Sequence, residues 1–260
     1  MRDQTIRRIH PLPLAAVGIG VLSTIALVGT ASRLAAQEVA EAAVAKDGPR
    51  AEVVTSIDLA FVTHLDKDLP EQDVFIEREP GSGEVWRVTK GDNDMSAPLF
   101  AAAHTIEHDP FNPDAVGPHP QGEPLGMTLG EWLAQKGTGT YTCVDGAGIL
   151  DTSFTGLVPN GLYTMWHSFA VMPHNPATGM IDLPLGARDG SDAAFHADAD
   201  GNASLVKHFK PCLQMSDLWT SSILAINYHS DGQTYGASPG EFGRAAHIPL
   251  FLVLPNREGM

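Results

Sequence analysis

Basic residues are scarce in this sequence. Its 260 residues carry 16 Lys and Arg against 31 Asp and Glu, a formal net charge of −15, and no basic run anywhere. Phosphate backbones are held by clustered cations, so nucleic acid is excluded as the expected partner. An acidic surface serves solubility, or meets a basic soluble protein. Catalytic fingerprints are missing too: there is no G-x-S-x-G, no P-loop and no dinucleotide-binding glycine pattern. Cysteine is almost absent, with only Cys143 and Cys212. In an exported chain two cysteines most simply form one disulfide, here closing a loop of about 70 residues.

What is present begins at the N-terminus. Arg2, Arg7 and Arg8 precede an uncharged apolar run from Pro11 to Ala31. A basic flank followed by an apolar run is the pattern of an export signal. A run of about 20 residues exceeds the usual signal core of about 7–15 and matches the length needed to cross a bilayer. The expectation is a retained transmembrane anchor over residues 11–31, with the body on the periplasmic face of a bacterial inner membrane. Secretion after cleavage near Ala36, within RLAAQ, is the alternative. The Ala- and Glu-rich stretch Gln37 to Gly48 continues as a helical stalk.

Three segments follow from the texture: residues 1–48 as anchor or signal peptide plus stalk, 49–137 as a β-hairpin with an irregular Pro-rich and short helical region packed on a sandwich, and 138–260 as the sandwich. DVFIERE and GEVWRVTK read as a hairpin turning at EPGSG. APLFAAAHTIEH reads as a short helix ended by Pro110, MTLGEWLAQKG as an amphipathic helix closed by Gly137, and DPFNPDAVGPHPQGEP as irregular loop. From Thr138 onward TGTYTCV, GILDTSFTGL, GLYTMWHSFAVM, NASLVKHF, SSILAINYH and HIPLFLVLP are short strands. Asp145-Gly146, Pro159-Asn160-Gly161, Asp200-Gly201 and Asp231-Gly232 are turn signals between them. The fold class is therefore mainly β, an antiparallel β-sandwich or small barrel, preceded by the N-terminal helix and a few short helices.

GTGTYTC, GLVPNGLYTMW, DGSDAAFHADADGNASL and YHSDGQTYGASPGEFGRAAHIPLFLVLP resemble a group of uncharacterised exported bacterial proteins over about residues 125–255. That resemblance implies a secreted β-sandwich and no particular activity. GLVPNGLYTMWHSF and FHADADGNASL are also similar in outline to the copper strand and an Asp-Gly turn of Cu/Zn superoxide dismutase. That family places two closely spaced histidines on its copper strand. This strand offers only His167, with Tyr163 and Met165 as same-face neighbours, so the likeness concerns fold and not ligands.

Three stretches and a few lone histidines carry candidate chemistry. His104, Glu107 and His108 form H-x-x-E-H, the ligand order of one class of zinc proteases. Pro110 ends any helix there, and no glutamate lies between Glu131 and Glu241 to supply the third ligand. A milder reading lets His104, His108, Asp109 and His119 converge on one metal. HFKPCLQM supplies His208, Cys212 and Met215, the residue types of blue-copper sites in a different order. HADADGN lacks the closing glutamate of a calcium loop and reads as a turn. His167, His229 and His247 lie on expected strands, where hydrogen-bonded interior histidines are the commoner outcome.

The expected function is a non-catalytic, membrane-anchored periplasmic protein that binds or braces a partner. It would serve as an accessory subunit of an integral membrane complex, respiratory or photosynthetic, and would need no cofactor. The alternative is a periplasmic copper or zinc protein drawing ligands from His104, His108, His119, His167, His208 and Cys212. A further alternative is a surface-binding module using Trp86, Trp132, Trp166 or Trp219 as a platform.

Overall fold

The computed structural model describes residues 54–67, 69, 71–106, 116–173 and 180–256. The expected anchor and stalk, together with Glu107, His108 and Asp109, lie outside the described residues. Glu52–Met260 forms one compact unit. Among the described residues no helix is long and apolar enough to cross a membrane.

Two antiparallel sheets face each other. The first has the order β1-β6-β7-β11, where β1 is Val54–Phe61, β6 Lys136–Val144, β7 Ala147–Thr155 and β11 Ala203–Phe209. The second has the order β10-β8-β12-β13, with β9 also pairing β8. Here β8 is Leu162–Val171, β9 Met180–Pro184, β10 Ala194–His196, β12 Thr220–His229 and β13 Ala246–Val253. All six strands expected from Thr138 onward are present. Asp145 and Gly146 join β6 to β7 as a two-residue loop, both at positive φ (49° and 73°), the conformation that suits the strand twist.

Period-two alternation fills the space between the sheets. Phe61, Tyr141, Leu150 and Phe154 from the first sheet meet Tyr163, Met165, Leu224, Ile226 and Leu250 from the second. Phe61 packs edge-on to Phe154 at 5.1 Å, and Phe195 stacks between Phe154 and Tyr163. The second sheet is apolar on its outer face as well, where Ala225, Ile248 and Phe251 form a separate cluster.

Residues 71–128 build something the sequence did not announce. The expected hairpin exists, as β2 (Glu71–Ile76) and β3 (Glu84–Thr89). It closes into a four-stranded barrel, β2-β3-β5-β4, with β4 Pro98–Ala102 and β5 His119–Thr128. The first correction falls on APLFAAAHTIEH: its described part is strand β4 followed by extended chain, not helix. Leu99 and Ala101 point to the main core, while Phe100 and Ala102 join Phe75, Val85 and Ile106 in a second cluster. Pairing on both sides overrides the helical preference of the alanines. The second correction falls on the Pro-rich stretch, whose end forms β5. Its register against β4 is broken by shifts on either side of Phe100↔Pro124, the irregularity at which Pro124 is tolerated. A Cβ on Gly122 would sit 2.6 Å from the Ala102 carbonyl oxygen. Third, the helix expected from MTLGEWLAQKG shrinks to α1, Leu129–Leu133, because β6 begins at Lys136. Thr128 and Glu131 close its N-terminus reciprocally, with Thr128 N–H donating to Glu131 Oε2 at 2.7 Å.

Candidate functional site

The C-terminal end of β8, the start of β9 and the approach to β12 meet at one end of the second sheet. Val171 pairs with Thr220, Ile181 pairs with Phe169, and Met172 N–H donates to the Trp219 carbonyl at 2.7 Å. Five of the eight exposed large hydrophobic side chains among the described residues gather here: Val171, Met172, Ile181, Leu218 and Trp219. Leu218 and Trp219 are 71% and 67% exposed, so neither serves the core. They divide between two faces of the sheet: Met172 lines the cavity on its outer face, whereas Val171 and Ile181 line the pocket on the other side of β8. Exposed apolar side chains grouped at one end of a sheet mark interaction sites.

A cavity of about 190 Å³ opens beside this end, on the outer face of the second sheet. Trp166, Ile223, Ala225, Phe242 and Phe251 line it, and Met172 and Val253 carry its wall out to the exposed patch. Its polar members are His64, stacked on Phe251 at 4.9 Å, Asn227, whose amide donates to the Pro239 carbonyl at 3.3 Å, and Lys67, Ser168, Asp182 and Ser221. Trp166 is fixed from behind, donating through Nε1 to Thr164 Oγ1 at 2.7 Å, and that oxygen meets His229 Nε2 at 2.8 Å. Burial holds the His229 imidazole neutral, its pKa drawn down to about 4.

A second pocket, of about 490 Å³, sits where the two sheets part. His167 reaches it from β8, and the chain from Phe209 to Gln214 forms the opposite wall. That wall is tied to β6 twice, by the Cys143–Cys212 disulfide and by Leu213 N–H donating to Tyr141 Oη at 2.8 Å. The Ser222 hydroxyl donates to the Gln214 carbonyl at 2.6 Å and lies 2.8 Å from His167 Nε2. A hydroxyl has one proton to give, so Nε2 is the donor and His167 carries its proton there. Burial, reinforced by the nearby Arg188 charge against the opposing effect of the Gln214 carbonyl, lowers its pKa to about 4.

The residues singled out in the sequence fall in separate places. His104 and His119 come together, ring centroids 5.8 Å apart, where the chain leaving β4 passes the start of β5. His167 lines the second pocket, whose opposite wall carries Cys212. His208 is exposed on β11, on the opposite face from Leu205 and Phe209. Cys212 is bonded to Cys143, with Cα atoms 5.8 Å apart, so its sulfur is not a thiolate ligand and the blue-copper set is not assembled. Among the described residues no three His, Cys, Asp or Glu side chains are placed to share a metal. Of the four tryptophans, Trp132 and Trp166 are buried, Trp86 lies under Arg78 at 4.8 Å, and only Trp219 is strongly exposed. The patch residues carried no sequence signal, since they come from three short stretches that only the fold unites.

Comparison of the chain with protein-family models, with curated proteins and with solved structures gives no match.

Proposed function

We propose that this chain is a non-catalytic binding protein that docks a partner on the apolar end of its second sheet. The observation that carries the reading is the exposure of Leu218 and Trp219 at one end of the sheet, with Met172, whose N–H bonds to the Trp219 carbonyl, lining an apolar cavity. Binding energy at interfaces concentrates where one partner's aromatic or aliphatic anchor fills a dry pocket. A cavity of about 190 Å³ takes a group the size of one aromatic ring or a branched aliphatic side chain. The setting is the one expected from the N-terminal run, the periplasmic face of a membrane, and the partner is a subunit of an integral membrane complex. Near the cavity, His229 is held by Thr164 and His64 by stacking on Phe251.

The test is native mass spectrometry of the full chain extracted gently from its own membranes, beside a Leu218→Ser/Trp219→Ser variant. Wild type should carry membrane subunits that the variant has lost. Recovery of wild type free of partners, or of both proteins with the same partners, would overturn the reading.

One observation favours a second reading. His104 and His119, 15 positions apart, bring their rings within 5.8 Å, a spacing that two imidazoles on one copper or zinc ion adopt. Calorimetric titration of the metal-free full chain with Zn²⁺ and Cu²⁺ decides it: the reading requires stoichiometric binding that His119→Ala abolishes.

A further inference from the structure

The second pocket stands apart from the charge balance of the whole chain. The sequence holds nearly two acidic residues for every basic one, yet no Asp or Glu is among the described residues that line this pocket. Two cations are, Arg188 and Lys210, and both are exposed at its rim. Neither makes an ion pair with a described residue. Phe169, Leu183 and Phe209 are among the apolar residues of the walls, which also carry His167, Gln214 and Thr220. The described carboxylate next to the lining, Asp192 at Gly186, accepts from the Ala187 N–H. In an acidic protein, cations at a concave surface whose lining carries no carboxylate form a local positive potential that selects the sign of a ligand.

The geometry points to a binding site for a small organic carboxylate with an apolar body, its carboxylate held by Arg188 and Lys210 and its body laid against Phe169, Leu183 and Phe209. The apolar walls account for the body. Inorganic anions have none and leave those walls wet. The guanidinium fork can accept a carboxylate through two parallel hydrogen bonds, with the lysine adding a point charge. The site is separate from the outer-face cavity, which lies on the other side of β8, so this inference does not depend on the docking reading.

His167 supplies a reporter inside the pocket. Arg188 helps to keep its imidazole unprotonated. A carboxylate seated on Arg188 offsets that charge, so protonation of His167 becomes easier when the site is filled.

The experiment is calorimetric titration of the full chain with octanoate, octanol and inorganic phosphate, beside an Arg188→Gln/Lys210→Gln variant. Both substituted residues are exposed, so the variant should fold as wild type does, and its thermal midpoint checks this. Octanoate should bind one to one. Octanol and phosphate should each bind at least tenfold more weakly, and the double variant should lose octanoate affinity by tenfold or more. The His167 ring resonances should titrate at higher pH with octanoate present. Absence of saturable octanoate binding would overturn the inference. So would octanol or phosphate binding as tightly as octanoate, or a variant with unchanged affinity. The Leu218→Ser/Trp219→Ser protein should bind octanoate as wild type does, which keeps this result distinct from the outcome at the docking surface.

Discussion

The Met172 backbone N–H donates to the Trp219 carbonyl oxygen at 2.7 Å, so the chain leaving β8 and the chain approaching β12 run side by side with their apolar side chains in water. Trp219 contributes its backbone to the fold and leaves its ring outside. Removing the ring should therefore cost the fold little. Trp219→Ser and Leu218→Ser should each change unfolding free energy by no more than about 0.5 kcal/mol, as surface substitutions do. Denaturant titration checks this, and acrylamide quenching adds a second readout. The readily quenched fluorescence should fall sharply in Trp219→Ser, because Trp132 and Trp166 are buried and Trp86 is half-buried under Arg78.

Asp73 and Arg87 form an ion pair inside the barrel region, with side chains at 0% and 1% exposure and Asp73 Oδ1 3.4 Å from Arg87 Nη1. Asp73 also offers its backbone carbonyl to His247 Nδ1 at 2.9 Å, linking β2 to β13. Asp73→Ala removes the carboxylate and leaves a buried guanidinium charge, at a cost of about 3–5 kcal/mol. The double change Asp73→Leu/Arg87→Met removes both charges and should recover most of that loss. A double variant as unstable as Asp73→Ala would show that the pair itself, rather than an uncompensated charge, sets the penalty.

Much of this architecture could be read from alternation and turns. GLYTMWHSF places Tyr163 and Met165 on one face and Thr164 and Trp166 on the other, and β8 follows that pattern into the core and the cavity wall. The β6–β7 turn was legible because Asp145-Gly146 accepts positive φ at both positions. The barrel was not legible. Ala101 and Ala102 favour helix locally, and only partners distant in sequence, Phe75 and the chain around Pro124, hold β4 as strand. The same limit governs the sites. His104 and His119 attract notice by residue type and do meet in space. Leu218 and Trp219 do not, because exposure is a property of the folded neighbourhood and leaves no periodic trace.

The Cys143–Cys212 disulfide closes a separation of 69 residues and ties the second pocket's wall to β6. Loop-closure entropy in the unfolded chain makes such a link worth about 4 kcal/mol. Cys143→Ser/Cys212→Ser should lose about that much on denaturant titration, with Leu213 still held by Tyr141 Oη. Amide exchange in the variant should quicken first along residues 209–214 rather than in β12. Uniform quickening would mean that the link acts only through the unfolded chain.

Acid should destabilise the protein before its carboxylates protonate. His167 and His229 stay neutral in the fold down to about pH 4, chiefly because both are buried. In the unfolded chain each takes up a proton near its ordinary value of 6.5. Between those pH values the unfolded state binds more protons, so stability falls as pH falls through this window and is flat above it. Each histidine should contribute a loss of about 2 kcal/mol between pH 7.5 and pH 5. The carboxylates whose pKa values are lowered by hydrogen bonds, Asp94, Asp189 and Asp198 among them, begin to matter only below about pH 4. His247, also depressed by burial, adds to the same slope. Denaturant midpoints measured from pH 7.5 to pH 4.5 should therefore decline steadily, and His229→Asn should flatten the decline even where it lowers the plateau. An unchanged slope in that variant would mean that the His229 ring is charged in the fold, with Asp231 as its counter-ion.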